Sequence, residues 1–281
     1  MRFSIIIPTI NRIDELLLLL KSLKNQSFKD FEVIVIDQNV KELILDKIEI
    51  YKNDFPLQRI RILAKGASNA RNVGIKNAKG EILSFPDDDC ELPSDFLQNI
   101  NTYFKEHKVD GITVTTRDKN DGKPISILLS SKEQKISRKN ILKTVIEAGI
   151  MIKANKIENV LFDVNMGVGS VNSPYWSDEG PDFIYNLVKI GKTINYCPQF
   201  KMFHPNPVKN YNEKTALRSY QYGKGRGYFL KKHKFGFLSI SYYLTLYLIG
   251  IMKGVVFANP QMINYFKKGF KGRYEGYFQS K

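Results

Sequence analysis

The sequence predicts an α/β fold of the doubly wound type with a helical C-terminal appendage. Three observations carry that expectation. Residues 3–7 and 31–36 are apolar runs of strand length separated by a leucine-rich helical segment, and the second run ends in Asp37. Residues 66–85 then repeat the helix-to-strand pattern and lead into three consecutive carboxylates, Asp87, Asp88 and Asp89. Residues 235–252 form an uncharged apolar run in a basic C-terminal part.

Taken in order, residues 3–7 place β-branched side chains on both faces, as a buried parallel strand does, and Pro8 is expected to end it. Thr9, Asn11 and Arg12 read as a polar turn. Asp14 and Glu15 open a helix through Leu23, where acidic groups suit the positive end of the helix dipole. The five leucines from Leu16 to Leu20 are too few to span a bilayer and read as core. Neither GxGxxG nor GxxxxGK[ST] follows the first strand, which argues against a Rossmann dinucleotide site and a P-loop. A third strand is expected over 59–63 and a helix over 67–78 stopped by Lys79 and Gly80. A strand follows over 81–85, which Pro86 prevents from continuing. Phe96, Ile100 and Phe104 stand at helical spacing after Asp95; 109–115 and 149–152 read as strands, 118–123 as a turn and 139–148 as a helix.

Composition narrows the function. At 281 residues and 43% hydrophobic, the chain fits one large domain plus an appendage. Its two cysteines, Cys90 and Cys197, are far apart and in no CxxC spacing, which argues against a disulfide framework or a zinc site and fits a reducing cytosol. No signal peptide is read at the start. A formal charge of +15 calls for a polyanionic neighbour: nucleic acid, an anionic membrane or a phosphorylated substrate. The three aspartates follow a strand's carboxyl end, where open α/β sheets bind ligands. Such a cluster is either a divalent-metal site, because carboxylates repel unless a hard cation shares them, or a solvated acidic turn.

Four motifs in register carry a family resemblance: SIIIPT at 4–9 with Asn11 and Arg12, VIVID at 33–37, GASNARNVG at 66–74 and GEILSFPDDD at 80–89. Together they resemble the family 2 glycosyltransferases. The resemblance implies the GT-A nucleotide-diphospho-sugar transferase fold, a Rossmann-like mixed sheet flanked by helices. It implies inverting transfer from a nucleoside-diphosphate sugar, UDP- or dTDP-linked, with Mn²⁺ or Mg²⁺ at a DxD motif. By resemblance, Asp89 holds the metal with Asp87, and a later histidine, His204, completes the metal shell or contacts the diphosphate. Asp87 or Asp88 faces ribose and sugar. Thr9 and Asp37 surround the base, Asp37 accepting from a ring N–H, Arg71 lies near the diphosphate or the base, and Pro8, Asn11, Arg12 and Ser68 belong to the donor site. A metal and a cation neutralise a diphosphate leaving group without proton transfer.

The acceptor side is expected later. VLFDVNMGVG at 160–169 resembles a family segment, and SPYWSDEGPD at 173–182 leads into a helix over 183–190 with Asp178, Glu179 and Asp182 at its start. Inverting transfer needs a carboxylate base, and the resemblance points to this cluster: Gly180 stands at the family's aspartate position, which leaves Asp178, Glu179 and Asp182 as candidates, and Glu179, aligned with the family's glutamate, is favoured. Those three carboxylates equally suit a helix N-terminus. Trp176 is read as a sugar-stacking wall or a core residue. A strand is expected over 193–196.

The expected division is a catalytic domain over 1–210, with 1–100 its nucleotide and metal half and 101–210 its acceptor half, and a helical region over 211–281. In that region Gly223, Gly225 and Gly227 read as a flexible interruption and residues 235–258 as an interfacial or helix-packed segment. The expected partners are a glycan or lipid-linked acceptor and an anionic membrane surface, with no nucleic acid and an oligomer left open. The expected place is the inner face of the cytoplasmic membrane, in cell-surface polysaccharide or glycolipid synthesis. The alternative is a catalytically silent nucleotide- or nucleic-acid-binding module that keeps the fold.

Overall fold

The computed structural model describes residues 1–125, 129–170, 174–206 and 210–280. Ser173, the first residue of the 173–182 segment, lies outside them. The chain divides into two compact units, the first of residues 1–65, 69–162 and 180–206, the second of 66–68, 163–179 and the described part of 207–281.

The first unit is built on a mixed sheet. Its strands are β1 (Phe3–Thr9), β2 (Phe31–Asp37), β3 (Leu57–Arg61), β4 (Ile82–Ser84), β5 (Gly111–Arg117), β6 (Gln134–Lys135), β7 (Ile150–Lys153) and β8 (Ile194–Phe203), in the order β3-β2-β1-β4-β7-β5-β8-β6. β1 pairs in parallel with β2 and β4, and β2 with β3. β7 is antiparallel to both β4 and β5, while β8 lies parallel to β5. The strands β1, β2, β4, β5 and β8 therefore share one direction and one carboxyl edge. Helices α1 (Ile13–Lys24), α2 (Leu45–Glu49), α3 (Ala67–Asn77), α4 (Phe96–Glu106) and α5 (Glu179–Lys189) complete the pattern.

The buried runs explain the sheet. Every residue of β1 and β2 is buried, as expected for strands covered on both faces. β1 runs through Pro8 to Thr9 because pairing with β4 stops at Ile5, so the edge where Pro8 lacks an N–H has no ladder bond to lose. Below the sheet, Leu16, Leu19, Leu20 and Leu23 of α1 pack with Phe96, Leu97, Ile100 and Phe104 of α4 in one core.

Three local expectations change. The helix expected over 139–148 is replaced by single 3₁₀ turns at Ile141–Lys143 and Glu147–Gly149. Thr144 interrupts it: its hydroxyl donates to Asn140 O at 2.9 Å, and its carbonyl accepts from the Thr113 hydroxyl at 2.6 Å. β3 begins two residues earlier than read, and β8 extends to Phe203 across Pro198, where the β5 register shifts between Val114 and Thr115.

The second unit contains three long helices, α6 (Glu213–Lys232), α7 (Phe237–Val256) and α8 (Pro260–Phe278). A reciprocal cap starts α6: Thr215 N donates to Asn212 Oδ1 and Asn212 N to Thr215 Oγ1, both at 2.9 Å. The glycines read as an interruption instead lie inside a continuous helix. A Cβ on Gly223 would stand 2.6 Å from Gly269 O, and one on Gly227 would stand 2.7 Å from Tyr277 N. From α8, a Cβ on Gly276 would stand 2.8 Å from Lys224 Cα. The glycines let two helix backbones touch, an outcome a sequence pattern shares with flexibility.

Candidate active site

The shared carboxyl edge of the first unit collects the polar residues. Thr9 ends β1 and Asp37 ends β2, and the turn after β4 carries the three aspartates. His204 arrives by a specific route. Glu91 and Phe203 exchange backbone hydrogen bonds of 2.9 and 2.8 Å, and His204 N donates to Arg117 O at 3.0 Å. That staple ties the end of β8 to the aspartate turn.

His204 Nε2 consequently lies 3.2 Å from Asp89 Oδ1 and 3.8 Å from Asp87 Oδ2. Ligand atoms of Asp87, Asp89 and His204 all fall within 4.8 Å of one another. Two observations test whether a divalent cation fits. Asp89 Oδ1 is buried and accepts no hydrogen bond among the described residues. The other imidazole nitrogen, Nδ1, lies 2.6 Å from Pro205 O, and a carbonyl can only accept. Nδ1 therefore carries the proton, which in a neutral ring turns the Nε2 lone pair toward the carboxylates, the arrangement metal-binding histidines show. A hard cation with mixed oxygen and nitrogen ligands fits these three residues.

Asp88 plays a different part. It is 5% exposed, accepts from the Thr9 hydroxyl at 2.8 Å and from Arg12 Nη1 at 3.1 Å. Burial pushes its carboxyl up to about 6, against the opposing pull of Arg12 and Thr9. Arg12 Nη1 also reaches Asp89 Oδ2 at 2.7 Å. Burial by itself would lower the Arg12 guanidinium, but Asp88 and Asp89 outweigh it and hold the group above its ordinary value. Arg71, almost fully buried in α3, donates to Asp87 Oδ1 at 2.7 Å and lies 5.5 Å from the Phe162 ring centroid. Two cations thus orient the carboxylates that flank the candidate metal position.

Asp37 is fully buried, and both its oxygens are engaged: Oδ1 accepts from Asn39 N and Nδ2 at 2.9 and 2.7 Å, Oδ2 from Arg59 Nε and Nη2 at 2.9 and 2.5 Å. Asn39 Oδ1 in turn accepts from Asn11 N at 2.7 Å, where Asn11 adopts a left-handed φ of 56°. Pro8 is buried within β1 and Asn11 is exposed. Asn39 and Arg59 escaped the sequence reading. Arg59 stands on the strand beside Asp37, a basic residue in a half-buried strand, and that was the available signal.

In the second unit, Ser68 is buried and donates to Met166 O at 2.6 Å. Asp178 has a left-handed φ of 65° and a bidentate ion pair with Arg226, at 2.5 Å from Nε and 2.9 Å from Nη2. Arg226, buried in α6, is held far above its ordinary value, the Asp178 carboxylate outweighing its desolvation. Glu179 begins α5, with Oε1 3.1 Å from the position a Cβ on Gly167 would take. Gly167, at φ +102°, thus packs its backbone closely against that carboxylate and the Ser68 hydroxyl, where a side chain would collide. Asp182, assigned to the first unit, is fully buried and accepts from Asn186 Nδ2 at 3.2 Å. Trp176 is half-buried.

The mixed sheet flanked by helices, with its carboxylate turn after β4, has the GT-A glycosyltransferase fold that its relatives and structural neighbours show. Residues 4–161 match the family described as Glycosyl transferase family 2, and the chain belongs to that family. An uncharacterized glycosyltransferase of Haemophilus influenzae is 31% identical over 217 residues, 69% of this chain and 67% of that relative. A GalNAc(5)-diNAcBac-PP-undecaprenol beta-1,3-glucosyltransferase of Campylobacter jejuni is 32% identical over 148 residues, 50% of this chain and 47% of its own length. The sequence match to TarS of Staphylococcus aureus, a poly(ribitol-phosphate) beta-N-acetylglucosaminyltransferase, spans only 22% of that protein. Among solved structures, TarS 1–349 in complex with UDP-GlcNAc superposes with a TM-score of 0.59 at 15% identity, covering 98% of this chain and 91% of that one. The mannosyltransferase PcManGT from Pyrobaculum calidifontis, in complex with GDP-Man and Mn²⁺, gives 0.68 at 13% identity, covering 100% and 88%.

Proposed function

We propose that this glycosyltransferase moves a sugar, with inversion, from a nucleoside-diphosphate sugar to a hydroxyl of a glycan or lipid-linked acceptor in cell-surface polysaccharide or glycolipid synthesis. UDP is the favoured nucleotide, with dTDP the next choice. The single observation that carries the reading is the gathering of ligand atoms of Asp87, Asp89 and His204 within 4.8 Å, with a buried Asp89 oxygen that accepts no hydrogen bond among the described residues. The TarS complex with UDP-GlcNAc and the PcManGT complex with GDP-Man and Mn²⁺ support a nucleotide-sugar donor. The undecaprenol-linked acceptor in the Campylobacter relative's name supports a lipid-linked one.

In this reading Asp87, Asp89 and His204 hold Mn²⁺ or Mg²⁺. When bound, the ion neutralises the charge that develops on the diphosphate as the bond from the anomeric carbon to phosphate oxygen breaks. Arg12 and Arg71 add cationic charge for the same leaving group, and Asp88 keeps Arg12 in place with the help of Thr9. Asp37 acts on the base through Arg59 and Asn39, which occupy its oxygens. Glu179 is the base: its carboxylate takes the acceptor hydroxyl's proton as that oxygen attacks from the face opposite the diphosphate. Asp178 is paired with Arg226 and Asp182, inside α5, is fully buried; Glu179, which aligns with the family's glutamate, is the favoured one of the three. Trp176 is assigned to the acceptor, and the enzyme works at the inner face of the cytoplasmic membrane.

The test is nucleoside-diphosphate release from a panel of UDP-, dTDP- and GDP-sugars with and without MnCl₂. Mn²⁺-dependent release that disappears in Asp89→Ala supports the reading. Absence of both binding and turnover across the panel would sink the enzymatic reading, and binding without turnover would leave the silent binding module in its place.

A further inference from the structure

Within the second unit, α7 has two distinct faces. Ile240, Tyr243, Gly250 and Gly254 form its buried stripe. A Cβ on Gly254 would stand 2.7 Å from Ile263 Cγ1 of α8, and Gly250 is closed in the same way by the Phe266 ring. Arg273 Nη1 of α8 donates to Tyr243 O at 3.1 Å, and its guanidinium carbon lies 4.0 Å from the Tyr247 ring centroid. The opposite stripe, Leu238, Tyr242, Thr245, Ile249, Met252 and Val256, follows alternating steps of four and three residues and is exposed along its whole length. Leu238 is 85% exposed, Met252 67% and Val256 79%. No charge interrupts that stripe, and Lys253 stands at its edge.

An apolar face of this length in water is an interaction surface, and its surroundings say what covers it. Residues 211–281 hold 13 Lys and Arg against two acidic residues, Glu213 and Glu275. Lys231, Lys232, Lys234, Lys253, Lys267, Lys268 and Lys271 are all exposed. Apolar area bordered by lysines complements an anionic lipid surface, where acyl chains take the apolar stripe and headgroups take the cations.

At 20 residues and a mean hydropathy of 1.4, α7 is by length and composition able to cross a bilayer. Its packing opposes that course. Crossing would either strip α7 from α8, emptying the notches at Gly250 and Gly254, or draw Lys267, Lys268 and Lys271 into hydrocarbon, which is costly for each charge.

We propose that α7 lies in the plane of an anionic membrane surface, its Leu238-to-Val256 stripe buried among the acyl chains and its other face still on α8. The proposal sharpens the membrane-face reading above and rests on it. It assigns the contact to one helix face and gives it a depth of about 5–10 Å.

Flotation of the full chain with vesicles of phosphatidylcholine, alone or mixed with phosphatidylglycerol, tests it. The wild type is expected to float with the anionic vesicles and to be released by alkaline carbonate. Leu238→Ser/Met252→Ser/Val256→Ser is expected to lose roughly tenfold or more in partitioning, with unchanged circular dichroism and unchanged Mn²⁺-dependent donor hydrolysis. Lys267→Glu/Lys268→Glu/Lys271→Glu should remove the preference for anionic vesicles. Undiminished flotation of the serine variant would overturn the assignment to α7 while keeping the membrane reading. Retention after carbonate would overturn the in-plane geometry. A wild-type dimer abolished by the serine substitutions, without flotation, would make the stripe a self-interface. Flotation of a wild type that hydrolyses no donor would sink the enzymatic reading alone, and Mn²⁺-dependent hydrolysis by a wild type that does not float would sink this proposal alone.

Discussion

His204 Nε2 stands 3.2 Å from Asp89 Oδ1, although 115 residue positions separate them in the chain. With Nδ1 committed to Pro205 O, this nitrogen offers a lone pair beside a buried carboxylate. Replacing His204 with alanine is therefore expected to weaken Mn²⁺ binding roughly tenfold or more while leaving the fold intact. Calorimetric titration with MnCl₂ alone reads this directly. Equal affinity in wild type and variant would remove His204 from the ligand set.

The Asp88 carboxyl, raised from 3.8 to about 6, makes the metal-free protein's stability depend on pH in a defined direction. The native state binds this proton more tightly than the unfolded chain. Its contribution is complete below pH 4 and lost as pH rises through 6, a change of about 3 kcal/mol at most. Asp88→Asn cannot titrate. The variant should gain stability relative to wild type between pH 4 and 7, measured by urea denaturation in EDTA. A difference that stays flat or slopes the other way would contradict the assignment.

Asp178 and Glu179 are neighbours with opposite expected phenotypes. Asp178→Asn breaks a buried bidentate pair and leaves Arg226 uncompensated, so a loss of about 3–5 kcal/mol of stability is expected. Glu179→Gln should keep stability near wild type and donor KM unchanged while lowering kcat by about 10²–10⁴. Exchange of these two phenotypes would move the base to Asp178.

The glycines of α6 should resist substitution. Gly223→Ala brings a methyl 2.6 Å from a backbone oxygen that cannot turn aside. Overpacking of this kind costs about 1–3 kcal/mol, despite the roughly 1 kcal/mol that alanine contributes to a helix interior. Lys214→Ala, exposed on the same helix, should change stability by less than about 0.5 kcal/mol. Thermal denaturation of both compares them. A stabilised Gly223→Ala would restore the flexible interruption.

Much of the first unit was legible because its signals are local. Continuous apolar runs mark β1 and β2, Gly80 and Pro86 bracket β4, and the acidic first turn marks α1. Local backbone competition was not legible. Thr144 carries ordinary helical neighbours, yet its hydrogen bonds to Asn140 and Thr113 end the helix that the pattern allows. The glycines at 223, 225 and 227 gave the opposite error, because sequence cannot show whether a missing side chain leaves space or admits a neighbour.

By itself the sequence determined the strand-helix alternation, the carboxylates at strand ends, the motifs of the family and the basic, apolar C-terminal part. Tertiary structure decided which of those residues meet. The Glu91–Phe203 pairing brings His204 to Asp87 and Asp89, Arg59 and Asn39 occupy Asp37, and Arg226 forms a bidentate pair with Asp178. The reason is physical: propensity and periodicity act over one turn or one strand. A ligand set or ion pair is fixed by the sheet order and helix packing of residues far apart in the chain, and no local signal encodes it.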